Sequence, residues 1–274
     1  MDRGKLIVGL VPVLLVVVTF LFWYQTWFGR ALTDSEMAEY LTDISVPHKT
    51  QHALAQLGDR IARGDPAARR WYPQVLALAA NSEPGFRLMA AWVMGQDDHA
   101  PEFHQALAKL LKDPDPMVRG NAALSLVRFG DASGRPELGQ MLEPWTLLAP
   151  AAGTVRYKAK SGDPVHRGSL VARLENSDGP AAEAHSLVEG RVEKLSAAEG
   201  DSIAAGEPLA VISPGDEQIF EVLRGLYIVG NEDDLPEVER IARAGTEEST
   251  RVREQAVLTA QAIQMRAARS PQAR

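Results

Sequence analysis

The sequence predicts an α+β chain of several domains: an N-terminal transmembrane helix, an α-helical solenoid, and a small all-β domain inserted into that solenoid. Three observations lead to this fold class. An apolar stretch opens the chain at residues 6–23. Helical periodicity fills residues 34–142 and returns after residue 216. Between the helical parts, residues 147–214 hold two copies of one strand-and-turn pattern. The predicted domains are therefore 1–30, 31–143, 144–216 and 217–274.

The apolar stretch, Leu6–Trp23, is long enough to cross a bilayer core of about 30 Å as a helix. Aromatic residues crowd its end, as at a membrane interface: Trp23, Tyr24, Trp27 and Phe28. A cleaved signal peptide is the alternative, but the run is long for one, and bulky rings occupy the place of small cleavage-site residues. We therefore expect an uncleaved anchor.

Charges around the stretch favour a cytoplasmic N-terminus. Arg3 and Lys5 precede the anchor, whereas Arg30 alone follows it closely. Positive residues accumulate on the cytoplasmic side of a membrane helix. This places the body of the chain outside the cytoplasm, in the periplasm of a cell that has one.

A repeat is visible in the helical parts. Gly95, Gly130 and Gly230 each end a helical run, and a Pro-Glu pair follows each glycine six residues later, at Pro101, Pro136 and Pro236. The positions one, four and seven before each glycine are apolar and define one buried helix face. Glycine is predicted to cap each helix and proline to start the next one.

Residues 115–130 carry the clearest copy, Asp-Pro-Met-Val-Arg-Gly-Asn-Ala-Ala-Leu-Ser-Leu-Val-Arg-Phe-Gly, which resembles a HEAT-type helical repeat. The resemblance implies helices that stack on their neighbours to bury their apolar faces. A matching unit at residues 217–244 follows the β region, so we predict that the β domain is inserted into one HEAT-like solenoid. The alternative is two independent helical pieces that flank it.

The β region repeats the pattern Gly-Asp-x-Val/Ile-x-x-Gly. The first copy runs from Gly162 to Gly168 and the second from Gly200 to Gly206, each after a Gly-x-Val strand start. Glycine supplies the positive φ of tight turns, and aspartate hydrogen-bonds the local backbone. Short strands in two equal halves predict a small barrel or sandwich whose halves close on each other.

This pattern resembles the biotinyl/lipoyl domain, or barrel-sandwich hybrid, which carrier domains and periplasmic adaptor proteins share. Residues 149–155 look like the opening Ala-Pro-x-x-Gly-x-Val of that family. The family's carriers attach their cofactor to a lysine at the hairpin tip between the halves. Here the tip, residues 175–180 with Asp178, has no lysine, and none lies between Lys160 and Lys194. We therefore predict no biotin, lipoate or other cofactor.

Residue chemistry predicts no catalytic, cofactor-binding or metal-binding residues, and hence no enzyme. The chain has no cysteine, and its net charge of −7 argues against nucleic acid as a partner. The histidines His48 and His52 share a helix face, and Asp97, Asp98, His99 and His104 fall in or near one loop. We interpret the histidine pair as part of a solvated helix face and the acidic loop as a helix cap, rather than as metal sites. Three aromatic residues at helical spacing are expected in the core: Trp71, Tyr72 and Trp92.

Three functional hypotheses remain. The first is a membrane-anchored, non-enzymatic scaffold or accessory subunit of a membrane protein complex. Its solenoid and lysine-less barrel would bind integral membrane or periplasmic protein partners. The second is a divergent periplasmic adaptor of a transport or secretion system, although residues 176–185 leave no room for an adaptor's long helical hairpin. The third is a component of a carrier enzyme.

Overall fold

The computed structural model describes residues 30–176, 179–243 and 249–269, with Leu15, Val16, Val18 and Thr19. The predicted membrane anchor at residues 1–30 therefore lies almost wholly outside the described residues. In the part of the chain that is described, no helix combines the length and apolar character that crossing a membrane requires.

Helices fill the first part of the described chain. Several begin with proline, whose missing N–H costs nothing at a helix start, and Asp115 caps one helix by accepting a hydrogen bond from the Met117 amide at 2.9 Å. The helices are α1 (Asp34–Thr42), α2 (Pro47–Ala62), α3 (Tyr72–Ala79), α4 (Pro84–Met94), α5 (Pro101–Leu110), α6 (Pro116–Arg128) and α7 (Arg135–Gln140).

The β domain follows as two four-stranded antiparallel sheets, ordered β1-β8-β6-β3 and β5-β4-β2-β7. Each sheet takes strands from both sequence copies, so the two halves share both sheets. Val155, Leu174, Val192 and Leu209 meet in the core between them. The strands are β1 (Trp145–Leu148), β2 (Gly153–Tyr157), β3 (Pro164–Val165), β4 (Leu170–Glu175), β5 (Ala182–His185), β6 (Gly190–Leu195), β7 (Ser202–Ile203) and β8 (Pro208–Ser213).

The repeated turns have the predicted chemistry. The glycines Gly162, Gly168, Gly200 and Gly206 all have positive φ, between 84° and 92°. Asp163 accepts a hydrogen bond from the Lys160 amide at 2.8 Å, and Asp201 accepts one from the Ala198 amide at 2.9 Å. The sequence repeat is thus a repeat of turn geometry, and the α+β class is confirmed.

Three helices follow the β domain: α8 (Asp216–Val229), α9 (Leu235–Arg243) and α10 (Thr250–Arg269). They share one apolar core with α6 and α7, in which Ala123, Val127 and Leu138 meet Leu223 and Leu226. Gln218 of α8 also donates a hydrogen bond to the Met141 carbonyl at 2.7 Å. The chain therefore enters the β domain after α7 and continues from it into α8, and these two helices contact each other.

The predicted helix ends are confirmed: Gly95 and Gly230 are the C-terminal caps of α4 and α8, and Gly130 directly follows the cap of α6. Pro101 begins α5, while Pro136 and Pro236 are the second residues of α7 and α9, which confirms the proline positions. Among the three capping glycines, only Gly130 has a positive φ, at 69°. Besides capping their helices, Gly95 and Gly230 permit close packing, because a Cβ would lie 2.5 Å from Ser125 Oγ and 2.9 Å from Ile263 Cδ1 respectively.

Two partly buried arginines, Arg87 and Arg119, connect successive repeats. Arg87 binds both carboxylate oxygens of Asp113, at 2.6 and 2.8 Å, and donates to the carbonyls of Asn81 and Ser82. Arg119 repeats this pattern: it binds Glu137 at 2.9 Å and donates to the carbonyls of Asp113 and Pro114. Asp113 thereby links the two arginines, one through its carboxylate and one through its carbonyl.

The buried Arg87–Asp113 pair predicts a pH-dependent stability. Burial would raise the pKa of Asp113, but hydrogen bonds from Arg87 and the Asp115 amide outweigh burial and hold that pKa below its usual value. A depressed folded-state pKa stabilises the protein above the unfolded pKa of about 4, and this contribution is lost as pH falls through the folded pKa. We expect Asp113→Ala to lower the free energy of unfolding at pH 7 by about 1–3 kcal/mol, because Arg87 keeps its bonds to the Asn81 and Ser82 carbonyls but loses its carboxylate partner.

Chemical denaturation at pH 7 and pH 3 measures both effects, and the difference between wild type and variant should shrink at pH 3. Asp233→Ala is the matched control, since Asp233 is an 81% exposed partner of Arg135 and its loss should cost less than about 1 kcal/mol. Equal losses for the two variants would contradict this account.

Candidate protein-interaction groove

A groove of about 930 Å³ runs along one row of helices. Its walls come from α4 and α6, before the β domain, and from α8 and α10, after it. The shared core of α6, α7 and α8 fixes the two sides of the groove relative to each other. The helices before the β domain and the helices after it therefore form the groove together.

Exposed apolar side chains concentrate in this groove. Trp92, Tyr227, Ile228 and Leu258 line it and are 37%, 47%, 55% and 51% exposed. They are four of the nine large apolar side chains that are exposed among the described residues beyond position 30. A cluster of this kind on a concave surface marks a binding site more often than scattered exposed residues do.

The position of Trp92 depends on a glycine in the neighbouring helix. A Cβ on Gly58 of α2 would overlap the indole ring, so only glycine lets the ring lie flat against α2. One side of Trp92 is thus packed and the other faces the groove. The expectation that all three aromatic residues lie in the core is correct for Trp71 and Tyr72 and wrong for Trp92.

The polar residues of the groove give it a small positive charge. Arg224 donates to Glu221 at 3.1 Å, which neutralises that pair. Arg128 donates to the uncharged Gln96 at 3.2 Å and forms no ion pair within the described residues. On a chain with net charge −7, this local excess suits a segment that carries apolar side chains and a carboxylate.

Sequence reasoning did not identify this groove, although one signal was present. Tyr227 and Ile228 directly follow the buried Leu226, so they lie outside the buried face of α8. Polar residues are expected at solvent-facing positions of a helix that is apolar on one side. Large apolar residues at those positions indicate a second, functional face.

The histidine pair lies on α2, as predicted. His52 Nε2 contacts Gln56 Nε2 at 2.9 Å. No third metal-ligating side chain joins His48 and His52 within the described part of the chain. The absence of a metal at this place stays a prediction.

The acidic loop brings Asp97, Asp98 and His99 together, with possible ligand atoms within 4.8 Å of one another. The loop has structural contacts of its own: Asp97 accepts a hydrogen bond from the Tyr72 hydroxyl at 2.7 Å and one from the His99 amide at 3.1 Å. Burial and the acceptor Asp97 raise the pKa of Tyr72 above its usual value. His104 does not join this cluster, because its Nε2 lies 2.7 Å from Asp131 Oδ2.

The carrier hairpin is the turn between β4 and β5, which pair antiparallel from Leu170 and His185 to Leu174 and Ala182. Its tip residue Asp178 lies outside the described residues. The flanking lysines are elsewhere in the domain: Lys194 is inside β6, opposite Val211, and Lys160 is in the turn before β3. Neither lysine lies at the β4–β5 turn.

Comparisons with known proteins agree with this division into helices and sheets. A family model described as HEAT repeats matches residues 72–160, and one described as Biotin-requiring enzyme matches residues 146–212. The overlap, residues 146–160, contains most of β1 and all of β2, so the HEAT match extends past α7, the last helix before the β domain. No curated protein matches the chain significantly.

Among solved structures, the chain is similar to a single-chain, multi-domain long-chain acyl-CoA carboxylase, at 18% identity and a TM-score of 0.25. The match covers 46% of this chain and 14% of the carboxylase chain, and it carries no argument about fold or function. The two family matches and the structure agree on one conclusion. The chain combines HEAT-like helical repeats with a domain of the biotin/lipoyl type.

Proposed function

We propose that this protein is a membrane-anchored, non-enzymatic scaffold or accessory subunit of a membrane protein complex. Residues 1–30 are its anchor, and its body lies on the periplasmic side. The groove lined by α4, α6, α8 and α10 is the single observation that carries the proposal. It binds an amphipathic segment of a partner protein, with apolar side chains against Trp92 and Ile228 and a carboxylate near Arg128.

The β domain adds a second contact surface in this proposal. Leu148 and Leu187 are 50% and 43% exposed on it, away from its own core. The missing carrier lysine supports a binding role for the domain, because the amine that would form the cofactor's amide bond is not in the hairpin. A partner that touches both the groove and the domain would gain from the fixed distance between them.

A divergent periplasmic adaptor is the second candidate, favoured by the biotin/lipoyl-type match. Only residues 176–181 separate β4 from β5, where an adaptor of this kind would carry a long helical hairpin. An envelope transporter that co-purifies with the protein would favour this candidate over a general scaffold.

The proposed groove predicts that a negative charge at position 228 prevents partner binding. We expect Ile228→Glu to abolish co-purification of the partner from mild-detergent extracts of native membranes, because a carboxylate replaces an apolar contact and disfavours an acidic segment. Sizing chromatography of a tagged copy with mass spectrometry of the peak measures this. Ile44→Glu is the matched control, since Ile44 is 39% exposed and lies outside the groove. A partner that survives Ile228→Glu, or that is lost equally with Ile44→Glu, would refute the groove as its binding site.

The absence of the carrier lysine predicts an unmodified chain. The intact mass of the purified protein should equal the 29.8 kDa of the sequence, with no added biotinyl or lipoyl group. Intact-protein mass spectrometry after co-expression with a biotin or lipoate ligase measures this directly. A carrier domain of known modification, expressed in the same cells, shows that the ligase is active. Any biotinyl or lipoyl adduct on this chain would instead support the carrier hypothesis.

A further inference from the structure

A second cavity, of about 360 Å³, lies between the helices and the β domain. Cavities of about 300–1,000 Å³ at domain boundaries are the usual sites of small ligands. Met117 and Met141 form the helical wall, and Trp145, Val188 and Ile212 form the wall on the side of the β domain. The walls are thus mainly thioether, aliphatic and indole surface.

This cavity exists because the two parts of the protein do not share a core. Ile212 belongs to the core of the β domain, whereas the helical cores extend no further than Leu142 and Ile219 at this place. Arg167 and Asp115 form the one ion pair between the β domain and the helices within the described residues. Pro144 and Pro214, in the two connections, also line the cavity. The cavity is partly open to solvent and lies between the two parts of the protein.

The charged groups of the cavity leave an excess of negative charge. Arg119 and Glu137 are bonded to each other at 2.9 Å, and their side chains are 20% and 12% exposed. Glu143 has no ion-pair partner within the described residues. Glu189 faces His166 Nδ1 at 3.4 Å, an ion pair only when that histidine is protonated. Three carboxylates and one guanidinium therefore line the cavity, a net charge of −2 while His166 is neutral.

We infer that this cavity binds a small organic cation with an apolar body, such as an aryl- or alkylammonium ion. The Trp145 ring offers a π surface that attracts a cation, and the methionine side chains adapt to an irregular apolar shape. Glu143 and Glu189 supply the opposite charge at the rim. An anion would meet two carboxylates, and a neutral apolar molecule would gain nothing from them. This inference does not depend on the protein-binding groove.

Binding is tested on the full chain in a neutral detergent with benzyltrimethylammonium as the probe. The chain has seven methionines, so ¹³C-methyl methionine NMR reports on single sites, with Met117→Leu and Met141→Leu to assign the two cavity signals. Met37 and Met94 are fully buried elsewhere and are the internal controls. The neutral isostere 2,2-dimethylpropylbenzene separates charge recognition from apolar filling.

We expect saturable shifts of the Met117 and Met141 methyl signals, with the cation bound about tenfold more tightly than its isostere. The double variant Glu143→Gln/Glu189→Gln should lose that preference, as should Trp145→Ala, while Glu102→Gln on the distant α5 should keep it. The unchanged Met37 and Met94 signals show that each variant is folded. Absence of saturable shifts, equal binding of the two probes, or a preference that survives the glutamine variants would overturn the inference.

Discussion

The packing of α8 against α6 and α7 is the interaction on which the rest of this structure depends. Leu138 and Val127 contact α8 beside Gly225, where a Cβ would lie 3.4 Å from Leu138 Cδ1 and 3.4 Å from Val127 Cγ2. This contact joins two helical segments that the whole β domain separates in sequence. Without it, α8–α10 would pack only on one another, and the part of their apolar face that now meets Val127 and Leu138 would be exposed to water. The β domain is tolerated as an insertion because its two connections meet where Gln218 bonds the Met141 carbonyl.

Both candidate binding sites depend on the contact of α8 with α6 and α7. The groove needs α4 and α6 on one side and α8 and α10 on the other, held at a fixed distance. The cavity lies beside the connections to the β domain, and Asn121 of α6 lines both the cavity and the groove. The arginines Arg87 and Arg119 hold the loops of the repeats in place and so keep the row of helices regular up to the junction.

The repeats made most of the architecture predictable from sequence. The spacing from Gly162 to Gly168, seen again from Gly200 to Gly206, predicted turns whose positive φ the structure shows. Proline marked the starts of helices for a local steric reason. The roles of Gly95 and Gly58 were not predictable, because they depend on Ser125 and Trp92, which are distant in sequence. The groove and the cavity were not predicted, because the groove is formed by helices and the cavity by helices and strands whose mutual placement no local sequence pattern encodes.

Removal of the β domain tests the continuity of the helical array most directly. Residues 144–214 can be replaced by a short Gly-Ser linker, because Met141 and Gln218 already lie within hydrogen-bond distance. Hydrogen exchange of the amides of Leu223 and Leu226 in α8 is the measurement. If the helices before and after the β domain form one cooperative unit, these amides stay as protected as in the full chain. Rapid exchange in α8, with protection kept in α4 and α6, would show two independent helical pieces and contradict the account.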